Sequence, residues 1–317
     1  MRNYARRSRS GPSCGILGGM RSALGPVGPL VVSLSLVTAL AACSTDDGDA
    51  APSATTAGTS LASSSAPAGS TAGTSTTPHV RVGPSDPQPA RGSVDVVREL
   101  PHDTSLFTQG LQVVGDEVYE STGRIGSSVV QRRPLEGGEP VVTVDMADDE
   151  FGEGLAVTAD TLWTLTWKNG VAHNRDPQTL EVRSEVRYEG EGWGLCFDGE
   201  TLLMSDGSDT LTVRDPVTFE PAGTVPVTAG GTPVPRLNEL ECADGSVLAN
   251  VWMTDEIVRI DPATGHVTAI YDASRLQQPR PADPDAVLNG IAALPDSENV
   301  LLTGKLWPTM YEVRLVG

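Results

Sequence analysis

Rings, carboxamides and a few charged groups recur together in five short strings: Phe107-Thr-Gln-Gly-Leu, Phe151-Gly-Glu-Gly-Leu, Gly192-Trp-Gly-Leu, Leu237-Asn-Glu-Leu-Glu and Leu288-Asn-Gly-Ile-Ala. They supply Phe107, Gln109, Phe151, Glu153, Trp193, Asn238, Glu239 and Asn289. A second series follows the strings and holds Glu120, Trp167, Lys168, Asp206, Trp252, Lys305 and Trp307. Aromatic residues are only 4% of the chain, yet four of its five Trp fall in these two series, as do both of its Lys. A cup of Trp and Phe around a carboxylate, an ammonium and two carboxamides suits a small polar group carried on an apolar stem. Other constellations are poorly supported. His102, His173 and His266 stand in different segments and in no metal-ligand spacing. Gly152-Glu153-Gly154 reads as a turn rather than a phosphate cradle, since no Gly-rich loop follows a strand and opens a helix, and there is no nucleophile-elbow pattern.

The elements that must position these residues are strands. From Val94 onward short alternating runs are bounded by Gly, Asp, Asn and Pro, without an amphipathic helix. Each string is followed by a turn such as Gly115-Asp116 or Asp244-Gly245, then by a second strand such as Leu162-Trp-Thr-Leu-Thr-Trp or Val247-Leu-Ala-Asn-Val-Trp. A third strand usually ends at Asp-Pro, as at Asp176-Pro177, Asp215-Pro216 and Asp261-Pro262. Five repeats of about 40–50 residues, each a small antiparallel sheet, predict an all-β, five-bladed β-propeller over residues 93–317. The last unit runs out after three strands, and the stretch from Val94 to Leu100 is the expected fourth, closing the ring and covering a sheet edge. In a hairpin the start of strand one and the end of strand two lie at the same end, so both series of residues are expected on one rim.

Charge narrows the partners. The formal net charge is −19, which argues against nucleic acid, because phosphate binding draws on Lys/Arg clusters. Residues 1–42 run the other way, with five Arg and no acid, followed by an apolar stretch that is too short to span a bilayer. Leu40-Ala41-Ala42-Cys43 resembles the lipobox of bacterial lipoproteins, so residues 1–42 are expected to be a signal peptide and Cys43 to be lipidated. Residues 43–92 are Ser/Thr/Ala/Gly/Pro-rich and cannot offset their ordering entropy by burial, which predicts a disordered tether. The expected location is extracytoplasmic, on the bacterial cell membrane through the lipid anchor only, as a monomer. Cys196 and Cys242 occupy nearly equivalent places in consecutive repeats, and in an oxidising compartment a disulfide between them is expected.

Taken in order, the five strings together with Leu165-Thr-Trp-Lys, Ala249-Asn-Val-Trp and Thr303-Gly-Lys-Leu-Trp-Pro resemble the plant-type glutaminyl-peptide cyclotransferases of plants and bacteria. The resemblance covers roughly residues 94–317. It implies a five-bladed propeller that converts an N-terminal glutamine of a peptide or protein into pyroglutamate with loss of ammonia, without metal or other cofactor. It also places the family's site residues on Phe107, Gln109, Phe151, Glu153, Trp167, Trp193, Asn238, Trp252 and Lys305. On that reading Glu153 moves the proton, Lys305 with Gln109 or Asn238 polarises the carbonyl, and the five rings hold the glutamine stem. Two other readings stand beside it: a non-catalytic propeller lipoprotein that binds a ligand or protein, and a lactonase or hydrolase with a central divalent cation near Glu120, Glu153, Asp206 and Glu239.

Overall fold

The computed structural model describes residues 86–276 and 281–317. The expected signal peptide, the lipidated Cys43 and nearly all of the tether lie outside the described residues. Regular structure among the described residues is entirely β. Strand β1 (Ala90–Pro101) begins a few residues earlier than the alternation of its sequence suggests.

Four-stranded antiparallel sheets then follow in chain order. The first contains β2 (Thr108–Val114), β3 (Glu117–Thr122), β4 (Val129–Pro134) and β5 (Val142–Asp145). The second contains β6 (Gly152–Val157), β7 (Leu162–Thr166), β8 (Val171–Arg175) and β9 (Val182–Arg187). The third contains β10 (Leu195–Phe197), β11 (Leu202–Met204), β12 (Thr210–Arg214) and β13 (Pro221–Pro226). A small hairpin, β14 (Thr228–Ala229) and β15 (Thr232–Pro233), precedes β16 (Leu237–Ala243), β17 (Ser246–Val251), β18 (Glu256–Ile260) and β19 (Val267–Asp272). The chain ends with β20 (Leu288–Ala293), β21 (Asn299–Gly304) and β22 (Thr309–Val316). Strand β1 takes the place beside β22, antiparallel from Ser93 opposite Val316 to Pro101 opposite Thr309. Its first residues also run parallel to β19, which joins the last two groups into one eight-stranded sheet. Repeated four-stranded sheets with no helix are the composition of a β-propeller.

In each of the first three sheets burial falls from the first strands to the last. All five residues of β7 are buried, whereas β9 and β13 are mostly exposed. Accordingly β7 reads Leu-Trp-Thr-Leu-Thr and β9 reads Val-Arg-Ser-Glu-Val-Arg, a charged outer edge that discourages pairing with other chains. The core lies between neighbouring sheets. Trp163 of β7, for example, packs against Phe219 at 4.8 Å between ring centroids and donates its indole N–H to Pro216 O at 2.9 Å. The Asp-Pro punctuation also has a local cause. The Asp176 carboxylate accepts the N–H groups of Gln178 and Thr179 at 2.7 and 2.9 Å, and Asp215 does the same for Val217 and Thr218 at 2.9 and 2.7 Å. These Asx turns end strand three and return the chain towards strand four.

The first strands of the sheets approach one another closely. Gly154 donates its N–H to Trp193 O at 2.6 Å, and a Cβ at Gly154 would lie 2.6 Å from Leu195 N. At Gly194 a Cβ would meet Asn238 O at 2.0 Å. Glycine in the repeated strings is therefore a demand of strand-to-strand approach. The string Leu237-Asn-Glu-Leu-Glu has Glu239 there instead, and this carboxylate accepts the N–H groups of Leu111 at 3.3 Å and Ile291 at 2.8 Å.

Two features of β16 bear on stability. A disulfide joins Cys242 to Cys196 of β10, with 5.4 Å between Cα atoms and a sequence separation of 46. By chain-entropy reasoning a loop of this size contributes about 4 kcal/mol. Glu241 is buried, and burial pushes its carboxyl up to about 8 although it accepts the N–H of Ala293 at 2.8 Å. A carboxyl raised in the folded state contributes stability that is complete below the unfolded value and is lost as pH rises through the folded one. Stability is therefore expected to decline between pH 5 and 8, and Glu241→Gln, which keeps the acceptor, should flatten that slope by a few kcal/mol across the window. Urea unfolding at several pH values reads this out; an unchanged slope in the variant would remove Glu241 from the explanation.

Candidate active site

The first strands do not simply begin at the site; they are irregular there. The ladder between strands one and two shifts register between Thr108 and Gly110, Gly152 and Leu155, Leu237 and Leu240, and Leu288 and Ile291. Gln109, Glu153, Asn238 and Asn289 occupy these bulges, where an extra residue re-aims a side chain. The residues after the second strands are fixed by backbone bonds to the segments before the first: Trp167 N–H to Phe151 O at 2.9 Å, Trp252 N–H to Arg236 O at 2.9 Å and Lys305 N–H to Val287 O at 3.0 Å. Together they line one cavity of about 700 Å³ whose wall holds Phe107, Gln109, Phe151, Glu153, Trp167, Trp193, Asn238, Trp252 and Lys305.

The rings form two arcs. Phe107 meets Phe151 edge-on at 6.2 Å and Phe151 meets Trp167 at 5.4 Å. Trp193 meets Trp252 edge-on at 5.5 Å, and Trp252 is the most open of these, at 36% exposed. The Lys305 ammonium lies 4.9 Å from the centre of the Phe107 ring, and Gln109 Nε2 donates to Glu153 Oε1 at 3.3 Å. Asn289 Nδ2 donates to Gln109 Oε1 at 3.2 Å and so fixes the direction of that amide. Asn238 Oδ1, buried in the same wall, has no hydrogen-bond partner among the described residues.

Burial dominates the electrostatics. It pushes the Glu153 carboxyl well above its usual range, against the pull of Lys305 and with a further push from Glu191. Burial likewise lowers the Lys305 ammonium, partly offset by Glu153 and Asp285. An acid raised and a base lowered in one dry site approach each other in proton affinity, the condition for moving a proton between them and a bound molecule.

Several members of the expected rim stand elsewhere. Trp307 is fully buried, donates to Ala286 O at 3.0 Å and packs beside Gly304 and Tyr311, so three Trp rather than four face the cavity. Lys168 lies outside, with its ammonium 3.9 Å from the Trp167 ring centre and 3.6 Å from Glu191 Oε1. Glu120 is buried among His102 Nε2 at 2.9 Å, Thr108 Oγ1 at 2.7 Å and Gln131 Nε2 at 3.1 Å. Asp206 caps its own turn by accepting the N–H of Ser208 at 2.9 Å, and Glu239 is engaged by the backbone groups named above. The four acids considered for a central cation thus have separate partners, and no three His, Cys, Asp or Glu among the described residues converge as a ligand set. Sequence reasoning missed Arg124, Ile125, Asp283 and Asp285, which complete the cavity wall. Arg124 stacks 4.6 Å from the Phe107 ring centre and binds Asp283 at 2.8 Å. Their signal was position: Arg124 and Ile125 follow a second strand and Asp283 and Asp285 precede a first one, the places from which the recognised residues come.

Comparison with known proteins gives a consistent result. A family model described as glutamine cyclotransferase matches residues 65–315. The curated glutaminyl-peptide cyclotransferase of Arabidopsis thaliana is 37% identical over 230 residues, covering 70% of this chain and 71% of the relative. The crystal structure of Myxococcus xanthus glutaminyl cyclase superposes with a TM-score of 0.68 at 40% identity, covering 72% of this chain and 99% of that one.

Proposed function

The chain belongs to the glutamine cyclotransferase family, and from that premise we propose that it is a glutaminyl-peptide cyclotransferase, closing an N-terminal glutamine onto its own side chain to form pyroglutamate and release ammonia. The observation that carries this reading is the cavity itself, in which a buried acid, a buried amine and two carboxamides stand among five rings. The α-amine must lose a proton, attack the side-chain carbonyl carbon and form the ring carbon–nitrogen bond. The bond to the amide nitrogen must then break, with one proton transferred from the attacking to the departing nitrogen. Glu153, whose proton affinity is raised by burial, suits both transfers. Lys305 and Gln109 can stabilise charge developing on the carbonyl oxygen. The open Oδ1 of Asn238 can accept from a substrate N–H. Phe107, Phe151, Trp167, Trp193 and Trp252 hold the stem in a ring-closing conformer and exclude water.

The finer reading of the fold supports the same site. Contacts of β2 with β6 and β20, of β10 with β6 and β16, and of β16 with β20 support five sheets in a closed ring. The pairing of β1 with β22 supports closure by the N-terminal strand. No metal is needed in this scheme, and the lipobox-like string at Cys43 supports a lipid-anchored, extracytoplasmic protein. Incubating the full chain with a short Gln-initiated peptide should release one ammonia per peptide, with a matching loss of product mass, and excess chelator should leave the rate unchanged. An intact peptide would sink the cyclase reading, and loss of rate in chelator would sink its metal independence.

A further inference from the structure

We infer that Glu191 is a positioning residue, a carboxylate outside the cavity that sets the orientation of Trp167 and Trp193 by accepting both indole N–H groups on one oxygen. Glu191 Oε2 lies 2.7 Å from Trp167 Nε1 and 3.0 Å from Trp193 Nε1. These rings come from different sheets, Trp167 from the end of β7 and Trp193 from the approach to β10. They also belong to the two separate aromatic arcs, so the carboxylate joins one arc to the other. An indole has a single donor, and a charge-assisted bond to it fixes the ring edge. The other oxygen faces Lys168, whose ammonium covers the Trp167 face. Gly192 N–H, donating to Trp167 O at 3.1 Å, anchors the segment that carries Glu191. Burial alone would raise the Glu191 carboxyl, but the bonds from Trp193 and Trp167 and the charge of Lys168 hold it below its usual range, as befits a permanent anion.

Glu191 has a second effect through charge. Glu153 is faced by Lys305, Glu191, Gln109 and Tyr188, and of these Glu191 is the anion that raises it. The activity readouts below rest on the cyclase reading; the spectroscopic one does not. Glu191→Ala should change the near-UV circular dichroism of the indoles and lower kcat/KM by about 10- to 100-fold, because ring displacement spoils the ring-closing conformer. Glu191→Gln keeps an acceptor oxygen, so it should retain the near-UV spectrum and KM within about twofold while moving the acid limb of the rate profile to lower pH. An unchanged near-UV spectrum and KM in Glu191→Ala would overturn the assignment, as would equal losses in both variants with native spectra. Should Glu191→Ala fail to fold, the Gln variant decides: a disturbed near-UV spectrum or a KM raised beyond about twofold counts against it. A wild-type chain that leaves Gln-initiated peptides intact would sink the cyclase reading and leave the spectra to judge Glu191.

Discussion

Glu153→Gln is expected to lower kcat by about 10²- to 10⁴-fold, the usual contribution of a positioned proton carrier. The side chain keeps its volume and an acceptor for Gln109 Nε2, now at 3.3 Å, so the cavity should keep its shape. What is lost is the ability to take a proton from the attacking amine and return it to the departing nitrogen. Stability should not fall with it. A buried carboxyl raised by burial favours the fold while protonated and loses that contribution as pH climbs through its folded value. The amide is therefore expected to unfold at the same urea concentration as wild type in acid and at a higher one in alkali. In wild type, kcat/KM should rise with pH as Glu153 and the substrate α-amine, with a reference pKa of about 8, lose their protons. Ammonia release measured across pH tests both points, and near-normal turnover by the Gln variant would refute the role.

Lys305→Met should cost about 10²- to 10³-fold in kcat, the range for removing one donor to a developing oxyanion. Methionine keeps a flexible stem against the Phe107 ring, over which the ammonium now sits at 4.9 Å, so substrate binding should change less than turnover. The pH profile gives a second signature. Lys305 opposes the rise of Glu153, so its removal should push the carboxyl higher and move the acid limb to more alkaline pH. Glu191→Gln is expected to move the same limb the other way. A single steric disturbance cannot produce opposite shifts from two neutralising substitutions. If both variants shifted the limb in one direction, the electrostatic account of Glu153 would fail.

Which sequence features were legible follows from how local their causes are. Asp-Pro turns read correctly because Asp176 and Asp215 bond N–H groups two and three residues ahead. Gly152-Glu153-Gly154 reads as a turn, whereas these residues open strand β6 and the cause of the glycine is a neighbouring strand: Gly154 is set by Leu195 N, just as Gly194 is set by Asn238 O, each dozens of residues away. The rim assignment assumed regular hairpins. It grouped Trp307 with the cavity, but Leu306 has φ of 62° and the chain turns the indole inward to Ala286 O. It also grouped Glu120 with Glu153, though Glu120 is claimed by His102, a residue from the segment after β1.

The order of strings, turns and second strands determined the all-β architecture, because period and turn chemistry act over a few residues. Nine of the residues that line the cavity were singled out only through the family resemblance those strings carry, and Arg124, Ile125, Asp283 and Asp285 were not picked out at all. Tertiary structure alone decided which of the charged groups are buried together. Burial and Coulomb forces depend on distance in space, and the register shifts that aim Glu153, Gln109 and Asn238 inward exist only once a neighbouring strand supplies the partner for the ladder. The clamp at Glu191 is the clearest case: two indoles 26 residues apart in the chain share one carboxylate oxygen, a pairing that no spacing along the sequence encodes.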